Sequence, residues 1–318
     1  IGSIRAAGIK HFNDFKTCEE EAAFIEKYRV KALFINSDEY PQRLLNCYDS
    51  PVLLYYKGEA DLNNSKIVSV VGTRNNSDYG RQVCEELLEG LKSMHVLVIS
   101  GLAFGIDTIA HRAALKNNLP TVGVVAHGLD RIYPPQNNNL AKQMTENGGL
   151  LTDFRSGSAP DKQNFPKRNR IVAGICDALI VVESAGKGGS LITAELANSY
   201  NKDVFAIPGR VTDSRSEGCN YLVKSNRASL ITSAGDLLDS MNWITKEKPK
   251  KVTQRELFIE MRAAEKSITE LLMQKQSCGI DEIYLTGGLS CSETAQALLM
   301  LEMQGIIVSM PGKIYKMA

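Results

Sequence analysis

The chain has 318 residues, 43% of them hydrophobic and 23% charged, with a formal net charge of +1. That is enough apolar material for one large domain with a small companion, and the near-neutral charge excludes a uniformly basic coat, so any nucleic-acid binding must come from a local patch. No apolar run approaches the ~18 residues of a spanning helix, and the first residues lack a charged-then-apolar export signal.

The chain opens on Ile1 rather than Met, which predicts that a natural N-terminal portion is missing. Residues 1–60 read as a partial helical region and a connection: a helix over 19–28, then short apolar runs of strand type at 33–35 and 53–56. Residues 61–243 change rhythm. Apolar strands at 67–71, 96–100, 121–125, 150–152, 178–183 and 203–207 alternate with helices at 80–94, 107–117, 138–146, 168–173 and 191–201. Near-continuous Val/Ile/Leu strands separated by helices predict a doubly wound, mostly parallel sheet of extended Rossmann type, covered on both faces. The charged, Pro-containing run at 244–252 predicts a linker. Residues 253–318 read as helix (254–275), helix (281–286), a turn at Gly287-Gly288, helix (291–304) and a hairpin turned at Pro311-Gly312. That order predicts a winged helix, with Ser290 and Glu293 as a capping box and Gly305 ending the third helix.

Ligands of such sheets gather outside the carboxyl ends of the strands, and the connections there are rich in cations and small residues. Gly72-Thr73-Arg74 combines a glycine that admits backbone amides to an anion with an arginine able to grip a phosphate. Ser100-Gly101 and Lys187-Gly188-Gly189-Ser190 offer further amides, with Ser190 as a candidate helix cap. Phe165-Pro166-Lys167-Arg168-Asn169-Arg170, preceded by Lys162, brings cations, an amide and an aromatic ring into one connection. Its three cations cannot all pack inside without counter-charges, so at least one is expected to face a ligand. Asn169 is expected to fix loop geometry, and Phe165 serves either core packing or base stacking.

The same loops exclude other chemistry. G-x-G-x-x-G is absent, which argues against ordinary dinucleotide binding, and Lys187 is followed by Gly188, so a Walker A termination is missing. The histidines His11, His95, His111 and His127 have no metal-ligand spacing, and the seven cysteines form no C-x-x-C pair, which fits free thiols in a reducing, cytoplasmic compartment. Glu183 and Glu195 could act as acid or base and Asp107 could support a ribose hydroxyl, yet caps and solvated positions account for them as well. No catalytic pair, metal site or cofactor is expected. The third helix of the terminal unit, residues 291–304, has no Lys or Arg and carries Glu293 and Glu302, which disfavours major-groove reading; Leu298, Leu299, Leu301 and Met303 suit packing or a protein contact.

The ordered set Val71-Gly72-Thr73-Arg74, Ser100-Gly101-Leu102-Ala103, Gly105-Ile106-Asp107, Gly128-Leu129-Asp130, Tyr133-Pro134, Phe165 to Arg170, Gly189-Ser190-Leu191-Ile192-Thr193-Ala194, Val204 to Gly209 and Gly218-Cys219-Asn220-Tyr221-Leu222 resembles the DprA/Smf family of bacterial natural transformation. The resemblance covers nearly the whole chain. It implies a sequence-nonspecific single-stranded DNA binder without enzymatic activity, a homodimer and recombination mediator that loads the RecA recombinase onto incoming strands during competence. Its DNA pocket would map to Arg74, Lys162, Phe165, Lys167, Arg168 and Asn169, supported by Ser100-Gly101 and Gly188-Gly189-Ser190. Two rivals differ in class. A nucleoside-monophosphate phosphoribohydrolase of the lysine-decarboxylase-like group would need a Pro-Gly-Gly-x-Gly-Thr loop and a downstream Glu, which residues 187–190 and Glu195 approximate only loosely; a transcriptional regulator would need cations on the third helix of the winged unit.

Overall fold

The computed structural model describes residues 3–243, 262–310 and 312–317 and divides into two compact units, residues 1–244 and 245–318. The first begins with helices α1 (Ser3–Lys10) and α2 (Phe15–Tyr28) and strands β1 (Lys31–Phe34) and β2 (Leu53–Gly58), joined through a single 3-10 turn. Then follow β3 (Ile67–Val71), α3 (Asp78–Gly90), β4 (Leu97–Ser100), α4 (Ile106–Lys116), β5 (Thr121–Val124), α5 (Asn138–Glu146), β6 (Gly148–Thr152) and α6 (Asn164–Gly174). The unit closes with β7 (Ala178–Val181), α7 (Gly189–Ser199), β8 (Asp203–Ala206), α8 (Glu217–Lys224), β9 (Ser229–Leu230) and α9 (Ala234–Ser240).

These strands form one sheet in the order β1-β2-β6-β5-β4-β3-β7-β8-β9, parallel from β6 to β9. The period of two along β3 sorts its side chains onto two faces. Ile67 and Val71 enter a core shared with α6, α7 and α8, and Val68 and Val70 enter one shared with α3, α4 and α9. Chain direction reverses its build-out beside β3: β4, β5 and β6 are laid to one side, and β7 returns to the other. The switch point therefore lies between β3 and β7.

Two expectations change here. The strands of residues 1–60 are no separate connection, because β1 pairs β2 and β2 pairs β6, both antiparallel, extending the main sheet. Residues 165–167 are not loop: α6 starts at Asn164 rather than at 168. Pro166 lies in the opening turn, where its missing N–H would have no intrahelical acceptor, so it is compatible with the helix. Helices α8 and α9 were not anticipated; each is only about two turns long, too short for a helical period to stand out.

The second unit contains α10 (Ala263–Lys275), β10 (Ser277–Gly279), α11 (Ile280–Gly287), α12 (Cys291–Met303), β11 (Ile307–Met310) and β12 (Ile314–Met317), with an antiparallel sheet ordered β10-β12-β11. This is a winged helix, with the unexpected short strand β10 completing the wing sheet. The Ser290–Glu293 capping box forms as expected, with the Glu293 amide donating to Ser290 Oγ and Ser290 N donating to Glu293 Oε2. On α12, Leu298 and Leu301 join the core, whereas Leu299 and Met303 are exposed. The linker expected at 244–252, the first residues of the helix expected from 254 and Pro311 lie outside the described residues.

Candidate functional site

A cleft of about 650 Å³ opens at the carboxyl ends of the parallel strands, over the switch point. From β3 come Gly72, Thr73 and Arg74; from β4, Gly101 and Ala103; from the segment after β5, Tyr133; from α6 and its approach, Lys162, Phe165, Arg168 and Asn169; from the segment after β7, Lys187, Gly188, Gly189 and Ser190. Most of the residues singled out in the sequence thus converge on one surface, although some play other parts than expected.

The mouth is built from exposed cations around an aromatic ring. The Arg74 guanidinium lies 5.2 Å from the centroid of the half-buried Phe165 ring, a cation–π arrangement that leaves the other nitrogens of the fork free to donate. Tyr133 stands 6.2 Å from Phe165, ring to ring, with its planes inclined at 53°. Sequence reasoning missed Tyr133 as a site residue; the available signal was an aromatic side chain following the end of a parallel strand. His127 holds it in place: Tyr133 N donates to Nε2 and Nδ1 donates to Gly128 O. Burial pulls the His127 pKa down, which keeps Nε2 free to accept.

The floor is polar and buried, and Arg168 Nε lies in it without a hydrogen-bond partner among the described residues. Arg168 is only 4% exposed, its Nη1 donating to Val124 O at 2.7 Å. Asp107 faces it and accepts from Ala103 N, with the Gly101 amide and Ser100 beside it. Burial pushes the Asp107 carboxyl up and the Arg168 guanidinium down, and each charge resists the other's shift. Gly101 makes this arrangement possible, since a Cβ there would lie 1.9 Å from Arg168 Nη1 and 2.6 Å from Asp107 Oδ2.

Several sequence expectations are therefore corrected. Ser100 is fully buried and donates to Val70 O, and the Gly101 amide faces Asp107, so this loop lends shape rather than open amides. Asp107 lines the cleft floor, with Oδ2 accepting from Ala103 N. Arg170 leaves the cleft altogether: Nη1 donates to Asp49 O and Nη2 to Asp153 Oδ2 at 2.8 Å, tying α6 to the segment before β2 and to the end of β6. Lys167 is exposed on α6 but does not line the cleft. Ser190 is no cap; it is the second residue of α7 and donates to Ser184 Oγ, while Gly188 occupies the cap position without a side-chain acceptor. The opening turn of α7 consequently presents its amides to the cleft beside Lys187.

The two candidate acid–base groups are also engaged. Glu183, buried at the end of β7, accepts from Ser77 N at 2.8 Å and Ser77 Oγ at 2.6 Å, and its carbonyl accepts from Thr73 N at 2.7 Å. Glu195 pairs with Arg227, away from the cleft. Gly105 completes the wall: at φ 78° it takes a left-handed conformation that brings it against Thr73 O, where a Cβ would lie 2.2 Å away.

A doubly wound sheet carrying an anion-receptive cleft at its switch point, accompanied by a winged helix, defines a Rossmann-type protein suited to phosphorylated ligands. The chain belongs to the DprA/Smf family. The family described as DNA recombination-mediator protein A matches residues 31–242, and the DprA winged helix domain matches residues 260–313. The DNA processing protein DprA of Streptococcus pneumoniae is 40% identical over 238 residues, covering 71% of this chain and 84% of that protein. Protein Smf of Synechocystis is 32% identical over 328 residues, covering 92% and 82%. The crystal structure of the pneumococcal protein superposes with a TM-score of 0.65 at 42% identity, covering 69% of this chain and 77% of that one. DprA from Helicobacter pylori, described for its single-stranded DNA binding mode, gives a TM-score of 0.61 at 28% identity, covering 67% and 95%. This chain is thus a member of a DNA-processing, recombination-mediator family.

Proposed function

We propose that the switch-point cleft binds single-stranded DNA without sequence preference, and that the protein acts as a homodimeric mediator in the cytoplasm, loading RecA onto incoming strands during natural transformation. The observation that carries this reading is the Arg74–Phe165–Tyr133 group set between Lys162, Lys187 and the uncapped start of α7. Aromatic faces accept any base, and cations and amides accept any phosphate. Asn169 is the sole amide side chain among the described residues of the lining, so the arrangement is dominated by groups that meet bases through their faces and phosphates through charge. The Helicobacter relative, described as binding single-stranded DNA, supports the choice of ligand.

The mediator reading also accounts for the engaged carboxylates. With Glu183 on Ser77 and Glu195 on Arg227, the phosphoribohydrolase reading is left without its downstream acid. The winged helix has Glu293, Gln296 and Met300 on the exposed side of α12 and no cation there, which fits a protein partner better than duplex DNA.

The test is fluorescence anisotropy of labelled oligo-dT and of its duplex across a salt series, with RecA filament assembly on coated strands followed in parallel. Strong preference for the single strand, with affinity falling by roughly 0.7 in log–log slope for each phosphate held, is the expected result. Failure of the intact protein to bind single strands, or release of a base from nucleoside monophosphates, would replace this reading with the enzymatic one.

A further inference from the structure

A second cavity, about 640 Å³, lies on the same carboxyl edge of the sheet, between the start of α3 and the segment that follows β8. It is separated from the switch-point cleft by residues 74–77. Arg74 on the lining of the first cleft and Ser77 and Tyr79 on the lining of the second belong to one short segment after β3, a reach that a single strand of nucleic acid covers within a few nucleotides.

The walls of this cavity are held rigid by contacts that use up the backbone. Tyr79 donates its hydroxyl to Pro208 O at 2.8 Å, leaving a ring that is 48% exposed. Asn220 grips Gly209 from both sides, accepting from its N–H and donating to its carbonyl. A Cβ at Gly209 would meet Ser216 Oγ, so this segment packs as closely as its backbone permits. Asp213 accepts from Arg215 N and caps its own turn. What remains for a ligand is the Tyr79 face, the exposed Arg210 side chain, which makes no ion pair among the described residues, and Oδ2 of the Asp213 carboxylate, the one acidic group of the lining. A fixed aromatic face beside a free guanidinium, next to a cleft with the same pair of groups, repeats the chemistry that holds one nucleotide.

We infer that this cavity is a second nucleotide subsite of the same single-stranded DNA track, with Tyr79 stacking on a base and Arg210 holding a phosphate. The inference rests on the single-stranded DNA reading of the first cleft. The saddle between the two is Ser77, fixed through both its amide and its hydroxyl by Glu183, so the spacing of the two subsites is set by the fold rather than by the ligand.

The test is anisotropy with oligo-dT from ~4 to ~16 nucleotides, the range covered by one single-strand-binding fold. Wild-type affinity should rise in a step once the oligonucleotide reaches the second cavity. Arg210→Ala and Tyr79→Ala should abolish the step, weakening long oligonucleotides about fivefold or more while leaving the shortest unchanged. Tyr79→Phe, which keeps the ring and removes only the bond to Pro208, should retain most of the step; thermal melting establishes that each variant is folded. Equal losses for short and long oligonucleotides, or no loss for either, overturn the second subsite. Absence of binding by the wild type at every length would overturn the first cleft instead.

Discussion

Gly101→Ala is the sharpest perturbation of the cleft floor. The added Cβ would lie 1.9 Å from Arg168 Nη1 and 2.6 Å from Asp107 Oδ2, both far inside contact distance, and the fully enclosed guanidinium can yield only by releasing Val124 O. Overpacking of this kind costs about 1–3 kcal/mol, and a lost hydrogen bond from a charged donor about 1.5–3 kcal/mol. Together they amount to ~2.5–6 kcal/mol, which lowers the melting temperature of a unit this size by ~5–24 °C. Differential scanning calorimetry of the sheet unit's transition measures it directly. A control isolates the cause. At Gly189 a Cβ meets nothing within 4 Å, so Gly189→Ala should leave the melt within ~0.5 kcal/mol of wild type or raise it slightly. Equal melting of Gly101→Ala and Gly189→Ala would refute the account of the floor.

Within the cleft mouth, Arg74→Ala and Phe165→Ala should each weaken oligo-dT binding by ~1–3 kcal/mol in anisotropy titrations, and Arg74→Lys should recover little, because a point charge cannot both lie over the ring and donate in a fork. Lys162→Ala should reduce the log–log salt slope by about 0.7 while leaving the melting temperature unchanged. Arg170→Ala should do the reverse, costing ~1–3 kcal/mol in urea unfolding with little effect on the affinity of the folded protein, since its partners are Asp49 and Asp153. Burial pulls the His111 pKa down to about 3, so the imidazole stays neutral in the fold. The unfolded chain takes up its proton first as pH falls below ~6.5, so stability present above that pH is lost as the pH approaches 3, by up to ~1.4 kcal/mol per unit. His111→Gln should remove this share of the decline in urea midpoints between those limits.

The sheet was legible because burial on both faces writes near-continuous apolar runs: residues 67–71 form the expected strand with the expected bounds. The edge strands were less so, since β1 and β2 are recognisable as sheet only through pairing with β6, a strand far along the chain. Convergence of Gly72-Thr73-Arg74, Phe165 and Lys187-Gly188-Gly189 on one cleft followed from topology alone. The individual fates of the cations did not. Arg168 and Arg170 are two residues apart and equally charged, yet one packs under Gly101 and the other reaches Asp49, 121 positions away. What separates them is the 100° turn between successive helical residues, and the sequence, which started the helix at 168, did not fix which face each would take. Glu183 shows the same limit, because the group that occupies its carboxylate, Ser77, lies 106 positions upstream.

That carboxylate has a mechanical consequence. Glu183 holds Thr73 by its carbonyl and Ser77 by its side chain, and Gly105 presses on Thr73 from the other side. The segment bearing Arg74 is thereby clamped at both ends to the strands behind it, with no hinge on which to swing. On the proposed function, a strand held against so fixed a wall would leave one contact at a time, as counter-ions or a competing protein take each place.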